Sequence, residues 1–253
     1  MVTPRRVAIH QPVFLPWLGF FVKLAKCDVF VLLEHCEINP RTACLCNRVR
    51  IQLPGSVNWL GVPLVRPEGR IGVPVDEMEI NLRDPRRFRR ALRSIEQAYR
   101  RAPFFSAVFP LAQRYFEASE PSLSARNMGF VDAVLEGLDI TPLRARSRSL
   151  GCPHRGGEML ADIVTRVGGT VYVSGDGGRD YQSPESFSRR GIRLAYNHFV
   201  AEPYPRVHGR WEPGLSILDA LMNLGFEGTR ALVRRAVRTS EARARAVGEA
   251  VDP

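Results

Sequence analysis

Residues 7–21, Val-Ala-Ile-His-Gln-Pro-Val-Phe-Leu-Pro-Trp-Leu-Gly-Phe-Phe, constrain the fold of this chain more than any other stretch. The run from Arg6 to Ile9 is short, apolar and rich in β-branched residues, so it reads as a buried strand. It stops at His10 and Gln11, because Pro12 donates no backbone N–H and biases the residue before it away from the helical region. Leu15, Leu18, Phe21, Val22 and Ala25 then recur with helical spacing, and Pro16 suits a first helical turn. A second apolar run, Val29 to Leu33, ends at Glu34 and His35. Strand, polar corner, helix, strand and acidic corner are the opening of an open α/β sheet. In such sheets ligands bind outside the carboxyl ends of the strands. His10, Gln11, Glu34 and His35 are expected to share that edge.

The rest of the chain follows the same logic. Cys44 to Gln52 and Val57 to Val65 flank the turn signal Leu53-Pro54-Gly55-Ser56 and predict a β-hairpin. A short strand is expected at Met78 to Ile80. Asp84-Pro85 opens a helix carrying Phe88, Ala91, Leu92, Ile95, Ala98 and Tyr99 on one face. Helices are also expected over residues 104–118 and 122–138. Alternation resumes after Thr141, with strands at 141–146, 170–173 and 192–196 and helices at 156–167, 183–190, 215–224 and 229–237. The expected fold is α/β: a single domain with a mixed β-sheet, flanking helices and a helical segment in the middle of the chain. Residues 1–238 form that domain, and the Ala/Arg/Glu-rich residues 239–253 are expected to fray.

Composition narrows the function classes. No run approaches the ~18 apolar residues that span a bilayer, and Pro12 and Pro16 interrupt any secretory pattern at the N-terminus. The expectation is a cytoplasmic protein without a membrane partner. The net charge of +10 raises nucleic acid as a partner. Yet of the 36 basic residues only Lys23 and Lys26 are lysines, and the arginines are dispersed along polar helix faces. They suit an anionic small molecule or a carrier-bound substrate better than nucleic acid. Oligomeric state is left open. Five cysteines are an odd number and do not make a disulfide framework. Cys36, Cys44 and Cys46 beside His35 lack the paired spacing of a zinc site.

Several of these stretches together resemble the WbqC-like family. His10-Gln11-Pro12, Leu15-Pro16-Trp17-Leu18-Gly19-Phe20-Phe21-x-Lys23 and Asp28-Val29-Phe30-Val31 carry the likeness at the start. Asn47-Arg48, Trp59-Leu60-x-Val62-Pro63 and Tyr99-x-x-Ala102-Pro103-Phe104-Phe105 continue it. Tyr172-x-Ser174-Gly175-x-Gly177 with Tyr181, and Leu215-Ser216-Ile217-Leu218-Asp219, complete it. The resemblance implies a place in building O-antigens, other glycans or glycosylated secondary metabolites such as antibiotics. The sequence also departs from the family pattern. Glu34-His35 stands where a pair of aspartates is expected, and Glu202-Pro203-Tyr204-Pro205-Arg206 replaces a His-Pro-x-Tyr-x-Gln motif.

Residues and resemblance together lead to an expected activity: a transferase that forms an amide on an amine such as an amino sugar, by acyl or aminoacyl transfer. His10 is the expected base, since imidazole exchanges protons near neutral pH, and Glu34 is expected to orient it. Gln11, Asn47 and the backbone of Ser174-Gly175-Asp176-Gly177 are candidate oxyanion donors. Arg48 suits the anionic part of a substrate, with Trp59 and Tyr181 as walls; Asp180 and His198 complete the expected binding set. This chemistry needs no metal and no cofactor. Two alternatives stay open. A cysteine-dependent, papain-like acyl transferase or amidase would use Cys152 with His198 and Asn197. A non-catalytic binding protein would use the same pocket without turnover.

Overall fold

The computed structural model describes residues 4–38, 45–65, 72–180, 182–207 and 210–249. In chain order the strands and α-helices are β1 (Arg6–His10), α1 (Leu18–Leu24), β2 (Val29–Leu32), β3 (Glu37–Ile38), β4 (Arg48–Leu53), β5 (Ser56–Gly61) and β6 (Val73–Pro74), followed by α2 (Pro85–Tyr99), α3 (Phe105–Glu117) and α4 (Leu123–Gly137). The last third holds β7 (Leu143–Arg146), α5 (Gly156–Arg166), β8 (Val171–Ser174), α6 (Pro184–Ser188), β9 (Arg193–Tyr196) and α7 (Ile217–Ala246).

Five strands form one sheet in the order β7-β2-β1-β8-β9, and every pairing in it is parallel. The expected mixed sheet is therefore resolved into two parts: a parallel sheet, and antiparallel pairing confined to the ribbons β3–β6 and β4–β5. The physical reason lies in β1, β2 and β8, which are nearly continuous apolar runs buried on both faces, as parallel strands are. Ala8, Phe30 and Leu32 face a large core with Phe20, Phe21, Ile95, Val131 and Leu221. Val7, Ile9, Val29 and Val31 face a second core with Leu160, Ile163, Val164 and Phe187. The sheet thus lies between two helical layers. The middle helices α2, α3 and α4 belong to the first core and are not a separate unit.

Helix starts follow the sequence signals. Asp84 accepts from the Arg86 N–H at 3.1 Å at the N-cap of α2, and Ser122 accepts from Ala125 at 3.2 Å at α4. The hairpin turns at Gly55, whose φ of 83° lies in the left-handed region. Residues 78–80 form no strand, only the isolated bridges Leu64↔Ile80 and Glu79↔Ser122. Where two helices were expected, at 215–224 and 229–237, one helix α7 kinks at Gly225 (φ 66°, ψ −178°) and resumes beyond it. Past Arg238, where fraying was the expectation, α7 runs on to Ala246 with Ser240 and Ala244 buried. Among the described residues no helix is long and apolar enough to cross a membrane.

The strand order places a switch point beside β1. The chain leaves β1 toward β2 and β7 on one side, then returns to lay β8 and β9 on the other. Loops at the carboxyl ends of β1 and β8 therefore diverge, and a crevice opens between them.

Candidate functional site

That crevice measures about 550 Å³ and is lined by His10, Gln11, Trp17, Lys23, Ser174 and the turn Gly175–Gly178, among others. Its size falls in the range of small-molecule sites. A wider groove of about 710 Å³ lies at the amino ends of the strands, among Leu143, Arg230, Arg234 and Arg238. It holds no imidazole, and burial pushes its thiol, Cys27, up to about 12.

His10 ends β1 and is half-buried between aromatic edges. Phe20 and Trp17 meet its ring edge-on, with centroids at 5.1 Å and 6.0 Å. Its Nδ1 sits 3.2 Å from the Gln11 carbonyl oxygen. A carbonyl only accepts, so Nδ1 carries the hydrogen and Nε2 keeps its lone pair. Removal from water, reinforced by the positive charge of Lys23, lowers the pKa of His10 to about 3, against a small opposing effect of the Gln11 hydrogen bond. The imidazole is neutral at physiological pH.

Gln11 lines the crevice, but its amide is gripped at both ends. Its Nε2 donates to Cys36 Sγ at 2.9 Å, and Cys46 Sγ lies 3.7 Å from its Oε1. Glu34 requires a correction. The sequence reading has it orient His10, yet its buried carboxylate is held by Arg146 through three hydrogen bonds of 2.8–3.1 Å. Arg146 ends β7, next to β2 in the sheet, and a guanidinium fork matches a carboxylate bidentately. His35, next in sequence, turns its Nδ1 to Ser147 Oγ at 2.7 Å.

Lys23 is the residue that sequence reasoning passed over as a site group. It sits inside α1, yet only 4 % of it is exposed, and its ammonium donates to the Ile9 carbonyl at 2.8 Å. Burial lowers its pKa to about 8, partly offset by Cys27 and Asp176. A signal was available: the chain places both of its lysines in one short segment and uses arginine everywhere else. Lysine is a compact charge whose pKa shifts readily on burial, and the two side chains are not interchangeable. Lys26 is also engaged, donating to Asn197 O at 3.0 Å and Ser240 Oγ at 2.6 Å.

The remaining sequence candidates divide. Ser174 and Gly175 line the crevice. Asn47, Arg48 and Trp59 do not line it. Arg48 lies 4.3 Å from the ring of Trp59 on the hairpin, and Trp59 remains 55 % exposed. The Asn47 amide donates to the Val62 carbonyl at 3.2 Å. The structure does not bring Asn47 as oxyanion donor, Arg48 as anion holder or Trp59 as wall to this crevice; their contacts lie along the hairpin. His198 sits behind the glycine turn, with Nε2 2.9 Å from Glu249, and its backbone N–H donates to Asp176 at 2.9 Å. Tyr181, the Asp180 side chain and Cys44 lie outside the described residues.

The papain-like arrangement is not assembled either. Cys152 Sγ lies 3.0 Å from the Asp162 carboxylate, and among the described residues no imidazole is hydrogen-bonded to it. Burial, followed by that carboxylate, raises the thiol to about 11, so it is protonated at neutral pH. Among the described residues no three His, Cys, Asp or Glu side chains gather as a metal site.

A parallel sheet with a crevice at its switch point, holding a neutral histidine and a buried lysine, defines the chain as an α/β protein. The comparisons then place it. A model of the WbqC-like protein family matches residues 11–231, and the chain belongs to that family. It is 30 % identical over 225 residues to the uncharacterized protein Rv1507c of Mycobacterium tuberculosis (strain ATCC 25618 / H37Rv), covering 88 % of this chain and 95 % of that one. No solved structure matches the chain.

Proposed function

We propose that this chain is a transferase that forms an amide on an amine, an amino sugar of a glycan or glycosylated metabolite being the acceptor class. The observation that carries the reading is the state of His10: a neutral imidazole with its Nε2 lone pair free, at the carboxyl edge of β1 in a small-molecule crevice. In the reaction the amine nitrogen attacks the carbonyl carbon of an activated acyl or aminoacyl donor. The C–N bond forms as the bond to the leaving group breaks. His10 takes the proton released from nitrogen and passes it to the leaving group. Its pKa lies far below neutral pH, so His10 is a weak base that acts on a nitrogen already made acidic by C–N bond formation. Backbone of the turn after β8 is the candidate donor to the developing oxyanion.

The binding-protein reading keeps one observation in its favour. Glu34 and Gln11, both chosen from sequence to work beside His10, are held by Arg146 and by two cysteines. The test is a panel of acyl thioesters and acyl phosphates presented with nucleotide-linked amino sugars, read by mass spectrometry. Acceptor mass raised by one acyl group supports the transferase. Saturable binding of acceptors with no product from any donor supports the binding protein.

A further inference from the structure

Folding alone accounts for two features of the crevice only in part. The first is the Lys23 ammonium. Three N–H donors are buried there, and among the described residues one hydrogen bond meets them, to Ile9 O at 2.8 Å, with no carboxylate in ion-pair contact. Burying a charge with so few partners is costly. The second is a pair of glycines. At Gly175 and Gly177 an added Cβ meets no atom within 4 Å, and neither residue has positive φ. Nothing in the packed protein requires glycine at either place. Gly178 is different, since a Cβ there would collide with Ser174 Oγ and the Gln182 amide. Gly175 and Gly177 both line the crevice that Lys23 lines. Bare backbone facing open space lets a ligand come close to main-chain N–H groups.

We propose that the crevice seats an oxyanion of the substrate, a phosphate or a carboxylate, with Lys23 supplying the charge and the backbone of Gly175 to Gly177 the close contact. The proposal rests on the crevice being the substrate site, and not on the amide-forming step. It moves anion recognition from Arg48, whose guanidinium packs on Trp59, to a lysine beneath His10. The titratable groups around Lys23 are His10 on β1, Cys27 after α1, Tyr172 on β8 and Asp176 on the turn. Asp176 accepts from the N–H groups of His198 and Phe199 at 2.9 Å and 3.2 Å, and no ion pair joins it to Lys23. With the lysine pKa near 8, the charge is present below about pH 8 and lost above it. A bound anion raises that pKa.

The experiment is calorimetric titration with inorganic phosphate, pyrophosphate and acetate at constant ionic strength, on the wild type, Lys23→Met, Gly177→Val and the remote variant Arg234→Gln. Saturable binding by the wild type is expected, weakened roughly 10–100-fold by Lys23→Met, as for loss of a charged hydrogen bond. Gly177→Val is expected to weaken it comparably with an unchanged melting temperature, and Arg234→Gln to leave it alone. Tighter binding of phosphate or pyrophosphate than acetate marks a phosphate site, and the reverse marks a carboxylate site. Should Lys23→Met fail to fold, Gly177→Val decides, because a Cβ at that position meets no atom within 4 Å. Lysine-selective 13C labelling gives a second readout, since the chain has only Lys23 and Lys26: the anion is to raise the pKa of Lys23 and leave Lys26 in place. No saturable binding of any of the three anions, or equal affinity in wild type, Lys23→Met and Gly177→Val, overturns the proposal. Anion binding without any acyl product would sink the transferase reading and leave this one standing; product without an anion effect would do the reverse.

Discussion

Lys23 Nζ donates to the carbonyl of Ile9 at 2.8 Å, one residue before His10 in the same strand. This bond ties the first helix to the end of β1 and sets a positive charge beneath the imidazole. Burial lowers the pKa of both groups, and the charge of Lys23 lowers His10 further.

Replacing Lys23 by methionine is therefore expected to raise the pKa of His10 above about 3 while leaving it below the ordinary histidine value of 6.5, because burial is the larger cause and remains. Histidine ring NMR through an acid titration checks this. A His10 pKa that does not move on loss of Lys23 would show that the charge is not felt at the ring.

The same shift predicts a pH dependence of stability. The folded state keeps His10 neutral down to about 3, whereas the unfolded chain binds a proton near 6.5. Between those values the unfolded state holds more protons, so stability falls as pH falls through that window. Carboxylates titrate there too, so the informative quantity is a difference. Urea unfolding of wild type and His10→Gln at about pH 7 and about pH 4 is expected to show the wild type losing more. Parallel losses would remove the buried neutral histidine from the account.

Asp219 carries a separate prediction. Fully buried in the first turn of α7, it accepts from Tyr99 at 3.1 Å, Tyr204 at 2.7 Å and Arg206 at 2.9 Å. Asp219→Ala strands the buried Arg206 charge, a change worth roughly 3–5 kcal/mol of destabilisation. Chemical denaturation measures it, and a cost below about 1 kcal/mol would mean the cluster relaxes to water.

What the sequence reveals here is mostly local. The apolar run ended by Gln11-Pro12 marks the strand, its edge and the histidine, because proline chemistry acts within two residues. Ser216 caps the start of α7, its oxygen accepting from Leu218 N–H at 3.3 Å, a local contact of the same kind. Asp219, three residues on, reads as part of the same cap, yet its partners lie as far away as Tyr99. Arg146 is 112 residues from Glu34 and meets it only because β7 pairs with β2. Lys23 is hidden for another reason: helical spacing marks apolar faces, and a lysine beside one looks like a solvated neighbour. The buried end of α7 was obscured by its Ala/Arg/Glu composition, which matches that of a frayed tail.

The cysteines are expected to be dispensable for chemistry. Cys36→Ala and Cys46→Ala free the amide of Gln11, and a change of less than about tenfold in turnover is the expected result, well short of what removing a catalytic base costs. Cys152→Ala removes a protonated thiol and is expected to leave turnover unchanged. Kinetics of the three variants with the same donor and acceptor check this, and a dead Cys152→Ala would restore the thiol mechanism.

The account stands most directly on turnover by His10→Ala. With circular dichroism and melting temperature confirming the fold, acyl transfer measured by mass spectrometry is predicted to fall roughly 10²–10⁴-fold, the usual worth of a positioned base. Turnover by His10→Ala at the wild-type rate would contradict the assignment of the base and, with it, the crevice at the end of β1 as the seat of the reaction.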